Sequence, residues 1–231
     1  MVTLITTTGA RPEAFLLCQK WMKQQTYKGA VRWIIVDDGP EAQPIKFKRA
    51  KWTLDIVRPE PFWEPGQNTQ ARNLRAGLDR VNPEDKVLII EDDDYYAPEW
   101  IEKVDAELEK AELVGEMRAR YYNIRTKIYR QLDNKAHASL CASGLRGGAV
   151  ETLRSVCRPS IQFIDLLLWQ AHSSKHLFDG HLTVGIKGLP GRGGIGMGHD
   201  KKFTGYADPS GKILQDWVGN AAKDYERLCS K

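Results

Sequence analysis

No stretch of this sequence approaches the roughly 20 consecutive apolar residues that a membrane-spanning helix needs, so no membrane partner is expected. Its four cysteines, Cys18, Cys141, Cys157 and Cys229, include no Cys-x-x-Cys pair. That leaves neither a zinc ribbon nor a disulfide framework to expect, and reduced thiols in a cytoplasm are the simple reading. The opening residues MVTLITTTGARPE turn polar after the first five, too soon for the apolar core of a signal peptide. Low-complexity tracts are missing, and so is a strong net charge: +4 is mild for a nucleic-acid binder. What is present, 231 residues of which 42% are apolar, suits one large domain with a real core.

The first half alternates strand and helix patterns. VTLIT is short, β-branched and apolar, and a polar turn then leads to a helix with Pro12 in its first turn, where a missing N–H costs little. Ala14, Leu17, Cys18 and Trp21 share one face of that helix. RWIIV reads as a second strand ending at Asp37-Asp38-Gly39-Pro40, and TLDIV as a third. The spacing of Ala71, Leu74, Leu78 and Val81 predicts a helix over 68–81, with Asn68 or Thr69 as its cap. KVLII is a fourth strand, and Pro98 opens a helix with Ile101, Val104, Leu108 and Ala111 inward. Strand–helix alternation of this kind implies an α/β fold with a mostly parallel sheet.

In VLIIEDDDYYAPEW, residues 87–100, Asp92, Asp93 and Asp94 stand behind an aliphatic run and are followed by two tyrosines. Like charges so close repel by roughly 1 kcal/mol or more at partial exposure; a bound cation and a solvated turn are both answers at this point. Asp37 and Asp38 form a second acidic turn, read either as a ligand-binding carboxylate pair or as plain turn formers. Both clusters fall at the carboxyl ends of strands, the edge where open α/β sheets bind ligands. The later half is less regular. LVGEM and YYNIR look like strands, SIQFIDLLLWQAHSS like a helix, and the seven glycines of residues 185–198 suit a mobile loop over a site.

Taken in order, IIVDDGP, NTQARNLRAGL and VLIIEDDDYYAPEWIEKV behind a first strand and helix resemble the GT-A glycosyltransferases, in particular the large inverting family that includes polysaccharide synthases. The likeness covers about the first 115 residues. It implies a single GT-A domain over 1–231, with 1–115 the nucleotide-sugar half and 116–231 the acceptor half. It further implies transfer of a sugar from a nucleotide-diphosphate donor, UDP-sugars favoured, to an acceptor hydroxyl, with a divalent cation, Mn²⁺ or Mg²⁺, as Lewis acid. The family's Asp-x-Asp motif maps the metal onto Asp92 and Asp94, Asp94 being the favoured direct ligand, with Asp93 helping or facing the sugar. Asp37 or Asp38 would recognise base or ribose, Arg72 and Asn73 would sit under the nucleoside, and Thr7, Thr8, Gly9 and Arg11 would face the same nucleotide. Asp165 falls where the family keeps its catalytic base, although Ile164-Asp165 stands where Glu-Asp is usual. His199 is the match for a late histidine ligand, which would favour manganese.

Between Arg118 and Arg130 the text RARYYNIRTKIYR carries Arg118, Arg120, Arg125, Lys127 and Arg130, three tyrosines and no acid. Such interleaving can track a phosphate backbone while stacking on bases, or it can be a strand with a solvated face. It leaves the acceptor open, with DNA carrying hydroxymethylated bases, the substrate of small phage glycosyltransferases, among the expectations. Two other readings stand beside transfer: a sugar-nucleotide nucleotidyltransferase, and a non-catalytic nucleic-acid-binding module built on residues 118–130. The literal Gly-x-Gly-x-x-Gly in GRGGIG is discounted as a dinucleotide fingerprint, because no strong helix pattern follows it.

Overall fold

The computed structural model describes residues 1–159, 161–194 and 203–229. The chain runs β1 (Val2–Thr8), α1 (Pro12–Gln24), β2 (Val31–Asp37), β3 (Trp52–Val57), α2 (Gln70–Leu78), β4 (Lys86–Ile89), β5 (Tyr95–Tyr96), α3 (Trp100–Glu107), β6 (Leu113–Glu116), β7 (Arg118–Asn123) and β8 (Ile128–Asp133). It continues through β9 (Ser143–Leu145), α4 (Gly148–Val156), α5 (Ile164–Ala171), β10 (Lys175–Phe178), β11 (Thr183–Lys187), β12 (Tyr206–Ala207), α6 (Lys212–Val218) and α7 (Ala222–Cys229).

Seven strands form the main sheet in the order β10-β6-β9-β4-β1-β2-β3. Its pairs are parallel except around β9, which lies antiparallel between β4 and β6. The chain lays β1, β2 and β3 outward in one direction, then returns through α2 to place β4 on the far side of β1. Strand order therefore reverses between β1 and β4, which opens a crevice at their carboxyl ends.

Alternation along the strands divides the core into two layers. Leu4, Trp33, Ile35 and Leu88 pack with Phe15 and Trp21 of α1 and Trp100 and Val104 of α3. Their neighbours Ile5, Ile34, Val36, Val87 and Ile89 pack on the other face with Leu74 and Leu78 of α2, Leu153 of α4 and Trp169 of α5. Strands buried on both faces read as unbroken apolar runs, which is why RWIIV and KVLII stand out in the sequence. A second sheet, β12-β8-β7-β11-β5, brings Tyr122, Val184 and Ile186 to the first layer.

Element ends differ from the sequence expectation for local reasons. The helix expected over 68–81 is Gln70–Leu78. Thr69 holds the cap position without capping, because its hydroxyl donates to Asp38; Asn68 Oδ1 accepts the Gln70 N–H instead, at 3.2 Å. The helix expected from Pro98 starts at Trp100 and is left at Leu108, so Ala111 is buried beyond its end. Among the described residues, no helix is long and apolar enough to cross a membrane.

Candidate active site

The end of β1 and the end of β4 are tied together by side chains. Thr8 Oγ1 donates to Asp92 Oδ2 at 2.7 Å. Arg11, on the turn after β1, spans two aspartates: Nη1 donates to Asp92 Oδ1 and Nη2 to Asp93 Oδ2, the latter at 2.7 Å. Burial alone would weaken the charge on Arg11, and Asp92 and Asp93 more than offset that. Burial pushes the Asp92 carboxyl up to about 6, against the pull of Arg11. Burial beside Asp94 pushes Glu91 up to about 8. The acidic run is thus met by a guanidinium on the cavity side.

Asp94 points elsewhere. Its Oδ1 accepts the Ile186 N–H at 2.8 Å and lies 3.6 Å from Lys187 Nζ, so it joins β4 to the end of β11. Lys187 is buried, and Asp94, Asp93 and Glu91 keep it charged against its desolvation. Ligand atoms of Glu91, Asp94 and Cys141 lie within 4.8 Å of one another. The carboxylate that stands with Asp94 in this way is therefore Glu91, whereas the sequence reading pairs Asp94 with Asp92. His199 and residues 195–198 of the glycine-rich loop lie outside the described residues.

At the end of β2, Asp37 is committed to its own turn. It accepts the Gly39 N–H at 3.0 Å, the Gln43 N–H at 2.8 Å and Arg58 Nη1 at 3.0 Å. Asp38 accepts from Thr69, from Arg72 Nη2 at 3.2 Å and from Arg192 Nη1 at 2.7 Å. Arg192 also donates to Thr69 Oγ1 at 2.7 Å and lies 4.5 Å from the Trp63 ring centroid. Both carboxylates expected to read a nucleoside are thus engaged by protein groups, and Arg192 is the member of this set on the cavity wall. Gly9 approaches closely: at φ +151, a Cβ there would strike the Asp38 carboxylate and lie 2.7 Å from Gly39 N. Gly9→Ala is expected to lower the unfolding free energy by about 1–3 kcal/mol, read from urea denaturation; an unchanged midpoint would contradict this placement.

One cavity of about 780 Å³ gathers most of these groups: Thr7, Thr8, Gly9, Arg11, Asn73, Asp92, Asp93, Lys187 and Arg192 line it, together with Asp165 and Arg130. Burial raises the Asp165 carboxyl above its ordinary value. Asp37, Asp38, Arg72 and Asp94 do not line it.

The basic stretch is a hairpin, β7 with β8, and its pleat distributes the charges. Tyr121 pairs with Arg130 and Arg120 with Gln131, so Arg130 shares a face with Tyr121 while Arg118 and Arg120 take the opposite one. Tyr121 and Arg130 line the cavity; Arg118 pairs with Asp179 at 2.7 Å and Arg120 stacks 5.2 Å from the Trp217 centroid. Arg125 is exposed near the turn, and Lys127 donates to the Pro209 carbonyl at 3.1 Å. Among the five basic residues of this stretch, Arg130 lines the cavity and the other four do not. Sequence reasoning missed Lys187, Thr69, Arg192 and Glu91 as site groups. Glu91 adjoins the aspartates and was within reach of that reading, but nothing local marks Lys187 or Arg192, whose partners Asp94 and Asp38 lie far away in the sequence.

No protein-family model matches the chain, and no curated protein matches it in sequence. Its fold matches that of S. aureus TarS. The structure of TarS 1-349 aligns with a TM-score of 0.57 at 13% identity, over 80% of this chain and 60% of that one. TarS 1-349 in complex with UDP-GlcNAc gives 0.57 at 11% over 88% and 62%, and in complex with UDP 0.55 at 12% over 80% and 60%. The chain thus spans about three fifths of the length of those structures. At such identities the likeness is one of fold: a mostly parallel central sheet flanked by helices, as in a glycosyltransferase.

Proposed function

We propose that the chain is a glycosyltransferase that takes a sugar from a nucleotide-diphosphate donor, UDP-sugars first among them, and passes it with inversion to an acceptor hydroxyl. One observation carries this reading: Thr8, Arg11, Asp92 and Asp93 meet at the β1–β4 reversal on the wall of a cavity that Asp165 also lines. That TarS 1-349 forms complexes with UDP and UDP-GlcNAc supports a donor of that class.

In the proposed reaction the acceptor oxygen attacks the anomeric carbon while the bond from that carbon to the donor's phosphate oxygen breaks. The acceptor's proton passes to Asp165, and the departing nucleoside diphosphate keeps the bonding electron pair. Arg11 and Lys187 face the charge that develops there; fixed cations in a site closed to water are worth more than in solution. A single displacement inverts the anomeric centre.

The fold family implies a divalent cation. The guanidinium of Arg11 lies across Asp92 and Asp93, so this pair already receives a positive group at the cavity wall, and carboxylate oxygens suit Mg²⁺ or Mn²⁺. Asp92 and Asp93 would hold the ion, with Asp94 anchoring β11 behind them and His199 kept as the proposed third ligand. Bound there, the ion acts as a Lewis acid on the diphosphate. A hydroxymethylated DNA base as acceptor would need a track of cations, and the dispersal of the hairpin's basic residues gives that finer reading no support.

The test is release of free nucleotide from a panel of nucleotide sugars, with Mg²⁺, with Mn²⁺ and with chelator, on wild type and on Asp92→Asn. Metal-stimulated release from one donor, lost in the variant, is expected. Equal release by the variant would refute the site assignment, and inertness toward every donor would refute the reaction.

A further inference from the structure

The cavity lining is of two kinds. Around the β1–β4 reversal the wall is charged and polar, whereas the lining that Asp165 shares with Leu132, Ile161, Phe163, Leu166 and Phe203 is largely apolar, with His137 and Gln162 among its polar members. Among the described residues the cavity is lined by four cations, of which Arg11, Lys187 and Arg192 lie against the carboxylates of Asp92, Asp93, Asp94 and Asp38, leaving Arg130 as the fourth; Arg118, Arg120, Arg125 and Lys127 do not line the cavity.

Phe163 is unusual in two independent ways. It is 55% exposed, one of few large apolar residues among the described ones to be so. It also adopts the left-handed region, φ 58 and ψ 48, at the cap of α5, two residues before Asp165. For a residue with a Cβ that conformation costs about 1–2 kcal/mol, and an exposed ring returns little packing energy. Strain of this kind concentrates where a side chain must be presented to a ligand. Here it presents an aromatic face at the cavity wall next to the proposed base.

The geometry points to an acceptor whose hydroxyl is carried on an apolar or aromatic body seated against Phe163, with at most one anionic group, which Arg130 would meet. This deepens the transfer reaction proposed above and rests on it. A ring against Phe163 and Leu166 buries apolar surface on both partners and places a neighbouring hydroxyl toward Asp165. Among the described residues a polyanion finds Arg130 beside three cations already set against carboxylates, too few for the counterion release that drives such binding.

The probes are phenyl β-D-glucoside, methyl β-D-glucoside and a short single-stranded oligonucleotide, compared by saturation-transfer NMR on the full chain and then as acceptors. In wild type the phenyl compound is expected to bind roughly fivefold or more tightly than the methyl one, with strongest saturation at its ring protons and little change with salt. Phe163→Ala should erase the preference and Phe163→Trp keep it, each variant first checked by its melting curve. Equal binding of the two glucosides to wild type would overturn the proposal, and that comparison needs no variant. So would a preference that survives Phe163→Ala, or displacement of the phenyl compound by the oligonucleotide. The NMR comparison requires no turnover: a phenyl preference without transfer from any donor counts against the reaction alone, and transfer without the preference counts against the acceptor class alone.

Discussion

Asp165→Asn is expected to lower the rate of sugar transfer by about 10²- to 10⁴-fold, the usual range for removal of a positioned general base, while nucleotide affinity changes little. The amide keeps the shape of the side chain and loses only its capacity to take the acceptor's proton. Since burial raises the Asp165 carboxyl, the wild-type rate should climb with pH through a midpoint above the ordinary carboxylate range, because only the ionised form accepts a proton. In Asp165→Asn that acid limb should vanish together with the activity. Steady-state kinetics across pH measure both effects. A variant with wild-type kcat, or with the same acid limb at reduced kcat, would remove Asp165 from the base role and leave it a polar residue near the start of α5.

Lys187→Met should produce the largest loss of stability, about 3–5 kcal/mol, the range for removing one member of a buried charge pair. The ammonium faces Asp94 at 3.6 Å and is held charged by Asp94, Asp93 and Glu91. Without it the cation that remains close to the run is Arg11, which meets Asp93 and Asp92 from the other side. Adding Asp94→Asn to Lys187→Met should recover part of the loss, because the second change removes the orphaned charge that the first creates. Chemical denaturation of the two single variants and the double variant forms the cycle. A loss under about 1 kcal/mol for Lys187→Met, or strictly additive effects, would mean that Lys187 and Asp94 are not energetically coupled.

The opening electrostatic question, three aspartates behind a strand, is resolved by different partners for each member. Asp92 goes to Thr8 and Arg11, Asp93 to Arg11, and Asp94 to Ile186 and Lys187. The sheet and the edge that gathers the acidic turns were legible in the sequence because β1, β2 and β4 are buried on both faces and so read as apolar runs ending in polar turns. The individual roles were not, because an i, i+2 spacing says that two carboxylates can share a side but not what meets them. Arg192 and Lys187 arrive from a glycine-rich segment with no periodicity to read, and they decide where Asp38 and Asp94 point. RARYYNIRTKIYR looked like one basic patch because sequence adjacency hides the pleat; pairing Tyr121 with Arg130 sends Arg118 and Arg120 to the other side. The apolar wall beside Asp165 was equally hidden, since Leu132, Phe163 and Phe203 come from three separate segments.

Titration of UDP into the protein in the presence of Mg²⁺ or Mn²⁺, followed by isothermal calorimetry, tests the central claim most directly. Saturable one-site binding with a dissociation constant in the micromolar to millimolar range usual for such substrates, weakened at least tenfold by Arg11→Met, is the expected result. Absence of binding for UDP and for every other nucleoside diphosphate, with the protein folded and metal present, would contradict a nucleotide-sugar site at the β1–β4 reversal.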